Sequence, residues 1–481
     1  MVLGISTFVS LAVTIIKRKF MAVHLGPDGF GIYAQVFNFF NVAGIIASLG
    51  LSQGITTFIA KNNDEKNEIS AILKSAMSVL LAIALVLIIL TVLFLKPISL
   101  LILNNGLMSW FLLIAILAVP FQILGQALLS FLQGIKNIRN ITLSNVTISI
   151  SGLIITVPLI IVFSTNGAVI SILVLAALTF FIYLYYCKGA FKAETIFGMF
   201  NFIKTFKSRY FRKLMEFGSL RFVQVLLSWF TFFIMRTIIL KKLGAESNGI
   251  YEAAYTFSLL FLPFIANLLW SYSYPEYCKA GDNKALSTAI NRFLRLSLTI
   301  TFPAAVICTL IRPILIEKII FTDQFSAAVQ IMPIRLLVDM LTVIAWSFNV
   351  VLLAKERLKV AIKFELLKDC LFLSCIIFIT SSYKLKGILI TDAVVSLVPL
   401  VLSYLYIKKE FDFKLLEKNM RLIVYSVVLF VIIALFPVKS ISFICLGGFI
   451  LILWFLNFVS FAEIKQIFSF LKLNRKIAKT I

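Results

Sequence analysis

Acidic side chains are scarce in this chain: 21 Asp and Glu stand against 45 Lys and Arg, with a single histidine, His24. One histidine leaves no H-E-x-x-H zinc motif, and neither a D-x-D pair nor a Walker loop is written anywhere. Metal-dependent sugar transfer and ATP hydrolysis therefore have no local signature, and no cofactor is implied. Charge of either sign is thin as well, at 14% of residues, where a soluble domain carries about a quarter. No Gly-Ser or Pro-rich linker separates folded domains. The six cysteines (Cys187, Cys278, Cys308, Cys370, Cys375, Cys445) lie in or beside apolar runs, without metal spacing or a disulfide rhythm. They read as small buried hydrophobes.

What fills the sequence is apolar: 61% of 481 residues, with a mean hydropathy of +1.04. A spanning helix needs about 20 apolar residues, and such runs follow one another along nearly the whole chain. The expected class is all-α, a polytopic membrane protein. Fourteen spans are expected near 1–23, 31–59, 70–95, 107–131, 140–163, 167–187, 217–240, 249–277, 288–311, 328–353, 360–382, 386–407, 420–438 and 441–462. The second and eighth are long enough to be tilted or bent. The segments are too long for barrel strands and lack their alternation. The N-terminus has no basic region before its apolar run, so it reads as a retained helix rather than a signal peptide.

A net charge of +24 raises nucleic acid as a partner, but its distribution argues for topology instead. Most Lys and Arg fall in connections after even-numbered spans, such as Lys136 and Arg139, Lys355, Arg357 and Lys359, and Lys408 and Lys409. Cytoplasmic loops collect such residues, so both termini are expected in the cytoplasm. The same charge attracts anionic membrane lipids. Residues 188–216 mix Phe, Ile and Met with seven Lys and Arg, the pattern of a basic amphipathic helix lying on the inner leaflet.

The stretch LGPDGFGIY, ending at Tyr33, returns as LGAESNGIY, ending at Tyr251. At this offset of 218, Arg18 falls on Arg236, Lys61 on Lys279, Asp64 on Asp282 and Lys66 on Lys284. Charged residues recurring at one fixed offset mark a duplication. The offset holds six spans, an even number, so the halves enter the membrane from the same side. Such a parallel repeat of two six-helix bundles is a transporter plan. The expected organisation is a first bundle at 1–187, an amphipathic linker at 188–216, a second bundle at 217–410, and two extra helices with a basic tail at 411–481. The repeated stretch itself reads as a helix–turn–helix corner, with Gly26 and Gly244 ending one helix and Pro27 blocking its continuation. His24 sits at the corner, where a titrating role is weaker than simple exposure to water.

A charge at the bilayer centre costs roughly 2.5–3.5 kcal/mol on insertion scales, so charged residues inside spans usually face a cavity or a partner. The first span carries Lys17, Arg18 and Lys19. Arg18 is the one whose repeat partner, Arg236, is also basic, so these two are expected to point inward; the alternative is snorkelling to the headgroups. Arg221 fits either. Arg335 and Asp339 share a helical face at i,i+4, either as a self-neutralising pair or with Arg335 reaching substrate and Asp339 carrying a proton. Glu252, Asp369 beside Lys368, and Asp392 are the other candidates for ion or proton coupling. Trp270 and Tyr274 read as interfacial aromatics, with sugar stacking as the alternative. Inward arginines suit an anion, above all a pyrophosphate, whose oxygens match the guanidinium fork.

With these pieces in place, the segments KRKFMAVHLGPDGFGIYAQVFNF (Lys17–Phe39) and IASLGLSQGITTFIAK (Ile46–Lys61) resemble the Wzx-type flippases of polysaccharide biosynthesis. These lie within the multidrug/oligosaccharidyl-lipid/polysaccharide (MOP) exporter superfamily. The resemblance implies a bacterial inner-membrane transporter, not an enzyme, that moves undecaprenyl-diphosphate-linked sugar such as an O-antigen unit between leaflets. It also implies work beside a polysaccharide polymerase as a monomeric transport unit. Many members have twelve spans, so the pair at 420–462 is a departure. A multidrug exporter of the same fold is the nearest rival, but it calls for acidic residues in the first span. A membrane-embedded polymerase or glycosyltransferase calls for a large outer loop or a carboxylate-rich metal site. A non-transporting scaffold needs no inward arginines.

Overall fold

A computed structural model describes residues 2–61, 66–188, 208–269 and 273–436, with Ser440, 443–445 and 447–449. The described residues are helical throughout and contain no strand. Twelve α-helices follow in order: α1 (Val2–Ser48), α2 (Leu51–Lys61), α3 (Lys66–Leu93), α4 (Leu95–Leu103), α5 (Ser109–Gly134), α6 (Ile138–Cys187), α7 (Ser208–Leu268), α8 (Tyr274–Lys279), α9 (Asn283–Leu310), α10 (Ser326–Ala354), α11 (Leu358–Glu410) and α12 (Glu417–Leu435). Nine described helices are long and apolar enough to cross a membrane. Four of them are divided in two by one left-handed residue: Gly26 in α1, Ser164 in α6, Gly244 in α7 and Lys384 in α11. The described residues thus supply thirteen crossing legs. The fourteenth expected span, 441–462, lies largely outside them, as does most of the 188–216 connection.

The long second span is bent, as its length implied: α1 stops at Ser48, Leu49 and Gly50 take positive φ, and α2 begins at Leu51. In its counterpart α7 ends at Leu268 and α8 starts at Tyr274, with 270–272 outside the described residues. The duplication runs through the architecture. The interior breaks correspond, Gly26 with Gly244 and Ser164 with Lys384, the second pair two residues further apart. The short helices correspond as well: α4 and Gly106–Met108 precede α5, as a π-helical turn at Ile314–Ile320 and Asp323–Phe325 precede α10.

The chain divides into two compact units, Val2–Gly249 and Ile250–Ile481. In the first, α5 is the central helix, packed against α1, α3 and α6. Its interior is apolar, built from residues such as Leu112, Val119, Leu128 and Ile172. The first leg of α7 also belongs to this unit, so both copies of the corner lie inside it up to Gly249. They close on each other with local two-fold logic. A side chain on Gly31 would run into the carbonyl of Ala245 and the amide of Gly249, and one on Gly249 would run into the carbonyl of Pro27 and the amide of Gly31. Pro27 and Ala245 are equivalent in the repeat. Each glycine recurs because the other copy's backbone passes where a Cβ would be.

In the second unit α10 is central, flanked by α9 and α11, and α12 packs against α9 and α10. The amide of Asn419 ties α12 down by donating from Nδ2 to both the backbone O and Oδ1 of Asn291, each at 2.8 Å. Phe430 meets Phe302 edge-on. All six cysteines are free thiols.

Candidate functional site

In the first unit the basic residues of α1 fall toward the end of its first leg, about two turns before the break at Gly26. Lys17, Arg18 and Lys19 are all half-buried there, so part of each side chain remains accessible. His24 is exposed and stacks parallel to Phe20. Arg236, the repeat partner of Arg18, stands differently. It is 0% exposed, its Nη1 donates to Oδ1 of Asn248 at 3.2 Å, and its guanidinium lies 5.0 Å from the Phe232 ring centre. Asn248 in turn donates from Nδ2 to the carbonyl of Gly31 at 2.7 Å. Arg236 therefore braces the closed corner and offers no surface to a ligand in this conformation. The repeat supplies the reason. The position matching Asn248 in the first copy is Phe30, which is buried and apolar, so the amide that holds Arg236 has no counterpart there. Arg221 lies on α7, with its side chain outside the described set.

The second unit gathers charge at mid-depth. Arg335 of α10, 8% exposed, is held by four groups. Its Nη2 donates to Asp339 Oδ1 at 2.6 Å, Nη1 to Asp392 Oδ2 at 3.1 Å and Nε to Ser258 Oγ at 3.1 Å, and its guanidinium lies 5.1 Å from the Tyr255 ring centre. Asp339, 0% exposed, also accepts from Ser258 Oγ at 2.5 Å. Lys368, on the first leg of α11, interacts electrostatically with Asp392, Glu365 and Asp369. Glu365 is reached by Asn349 Nδ2 at 2.9 Å, and Ser403 donates to Asn349 Oδ1 at 2.6 Å. Four carboxylates thus stand against two cations in one connected set spanning α7, α10 and both legs of α11. Asp369 is nearly buried, and Glu252 is half-buried one residue after Tyr251. Tyr274 is half-buried at the start of α8, while Trp270 lies outside the described residues.

The structure brings together Arg335, Asp339, Asp392 and Lys368. It does not bring Arg236 into a common accessible surface with Arg18. Sequence reasoning missed Ser258, Glu365 and Asn349, because only the three-dimensional crossing of α7, α10 and α11 joins them. It also missed a run of amides, Gln35, Asn38 and Asn41, spaced i, i+3, i+6 along an otherwise apolar leg, a signal open to helical-face counting.

The model of a family described as polysaccharide biosynthesis protein matches residues 20–330. The chain is 21% identical over 359 residues to the Lipid III flippase of Escherichia coli (strain K12), covering 74% of this chain and 84% of that one, and equally to the Shigella flexneri protein of that name. Among solved structures it resembles the lipid II flippase MurJ in an inward closed conformation, with a TM-score of 0.69 at 17% identity over 97% of this chain and 99% of that one. An inward-facing multidrug resistance MATE transporter of the MOP superfamily gives 0.69 at 13% identity, over 83% of this chain and 95% of that one. The family match covers well over half of the sequence: this chain belongs to the polysaccharide biosynthesis protein family, and its fold is that of the MOP transporters above.

Proposed function

We propose that this protein is a flippase that carries undecaprenyl-diphosphate-linked oligosaccharide from the cytoplasmic to the outer leaflet of the bacterial inner membrane by alternating access. The observation that carries this reading is the half-buried Lys17–Arg18–Lys19 cluster within a membrane leg that has no acidic residue before its corner. A cation there is costly unless it serves an anion, and a guanidinium matches a pyrophosphate. A multidrug exporter shares the fold, but a basic first leg disfavours a cationic drug.

In this reading Arg18, with Lys17 and Lys19, holds the diphosphate while the polyprenyl tail stays in lipid. Arg236 joins them only when the corner opens and Asn248 releases it; until then it keeps the corner shut. Opening breaks the Asn248–Gly31 hydrogen bond and parts Gly31 from Gly249. The transport halves are 1–187 and 217–410, joined by 188–216, with 411–481 appended and both termini in the cytoplasm. The transport unit is a monomer in contact with anionic lipid and working beside the polymerase.

Coupling belongs to the second unit. Four carboxylates against two cations in a partly buried set favour taking up a proton or a small cation. Asp392 and Asp339 are the groups for it, with Asp369 and Glu252 as further candidates. An ion gradient then biases which way the transporter faces.

The test is surface polysaccharide assembly in cells whose only copy is Arg18→Ala, with membrane levels of the protein matched. Loss of polymer with accumulation of lipid-linked units inside is expected. Normal polymer would remove Arg18 from the headgroup role.

A further inference from the structure

Gln35, Asn38 and Asn41 form a ladder on the second leg of α1, and Gln122 of α5 faces it. None of them is used by the diphosphate site or by the charge cluster of the second unit. All lie near the middle of their legs. Gln35 is 0% exposed and its Nε2 donates to Thr237 Oγ1 at 2.8 Å, but its Oε1 has no partner among the described residues. Asn38 is 5% exposed, and its Nδ2 likewise has no partner. Gln122 reaches Asn41 Oδ1 only at 3.5 Å, and its Oε1 has no partner. Asn41 and Gln122 are half-exposed.

A buried amide atom without a partner costs about 1–3 kcal/mol. Half-exposed amides at mid-depth are equally unfavourable against lipid. Three unmet amide atoms, on Gln35, Asn38 and Gln122, beside the half-exposed Asn41, describe a surface that is completed by something polar and uncharged. Each primary amide offers a donor pair and an acceptor, which matches hydroxyl and acetamido groups and has no preference for an anion. Gly44 leaves room for the Gln122 amide itself, which a Cβ there would strike. In the second unit the matching positions of the ladder are Ala253, Thr256 and Leu259, so the feature belongs to one half alone.

We infer that Asn41 and Gln122, backed by Asn38 and Gln35, form a neutral carbohydrate subsite in the first unit, separate from the cations that hold the diphosphate. This rests on the flippase reading above and names the part of the substrate that the amides contact. Sugar hydroxyls complete the unmet hydrogen bonds, and water does so when the subsite is empty.

The full chain in lipid nanodiscs is titrated with two probes, undecaprenyl diphosphate and undecaprenyl diphosphate bearing one N-acetylglucosamine. Wild type is expected to bind the sugar-bearing probe more tightly. Asn41→Leu with Gln122→Leu is expected to weaken that probe roughly tenfold, two neutral hydrogen bonds being lost, and to leave the bare probe unchanged. Unchanged binding of the bare probe also shows that the variant is folded. Gly44→Ala, which crowds Gln122 without removing any amide, should give a smaller loss of the same kind. Equal binding of both probes by wild type, or unaltered sugar preference in the double variant, overturns the subsite. Failure of wild type to bind either probe instead overturns the flippase reading, a distinct outcome.

Discussion

The units Val2–Gly249 and Ile250–Ile481 bury polarity in opposite ways. In the first, membrane legs carry cations and neutral amides. Among the described residues its fully buried cation is Arg236, held by Asn248 and an aromatic face. In the second, buried charge is met with opposite charge, and carboxylates are in excess. In the reading proposed above, one duplicated plan of helices serves an anionic, hydroxylated solute in one unit and a proton or cation in the other. The divergence is visible at single positions: Gln35 against Ala253, and Asn41 against Leu259.

The largest effect should come from breaking charge in the second unit. Asp339→Leu leaves Arg335 with one carboxylate instead of two, and removing one partner of a buried pair typically costs about 3–5 kcal/mol. A steep fall in thermal unfolding temperature in detergent is expected, with much of it restored by Arg335→Leu in the same chain. If the single variant unfolds like wild type, the cluster does not hold the unit together.

The corner comes next. Gly31→Val and Gly249→Val each drive a side chain into the other copy's backbone, and overpacking of this kind costs about 1–3 kcal/mol. Both variants should lose stability by similar amounts, because the contact is reciprocal. In combination they should cost less than the sum, since they disturb one contact. Additive losses would show that the two glycines act separately.

Asn248→Leu is a smaller disturbance that bears directly on the comparison. It removes one acceptor from the buried Arg236, at about 1–3 kcal/mol, and frees the Gly31 carbonyl. Arg18→Met should by contrast leave unfolding almost unmoved and abolish polymer assembly. Equal stability losses in the two variants would mean that the two arginines play the same part. The smallest expected effect is Asn419→Ala, which loosens α12 from Asn291 by about 1 kcal/mol with transport retained.

Much of this was open to reading in the sequence, for physical reasons. Apolar runs set the legs, and the glycines at 26 and 244 marked two breaks, because a left-handed residue is cheap only there. The breaks at Ser164 and Lys384 carry no such signal, since neither residue type favours positive φ. The Arg335–Asp339 pair is local in sequence and was visible as i,i+4 neighbours. Asp392, Ser258 and Glu365 join it only through the crossing of separate helices, which no spacing encodes. The parity between Arg18 and Arg236 was overdrawn because the register compared the arginines and not their acceptors. Setting Phe30 beside Asn248 would have separated them.

The central claim is that the anionic headgroup is held by the basic first unit and that the carboxylates of the second unit serve coupling. Its most direct measurement is the affinity of the full chain for undecaprenyl diphosphate in nanodiscs, with wild type, Arg18→Ala and Asp392→Asn compared at fixed salt. Arg18→Ala should weaken binding tenfold or more, in keeping with about 1.5–3 kcal/mol for a charge-assisted hydrogen bond, while Asp392→Asn should bind like wild type. Equal affinity in wild type and Arg18→Ala, or a comparable loss in Asp392→Asn, would contradict that division of labour.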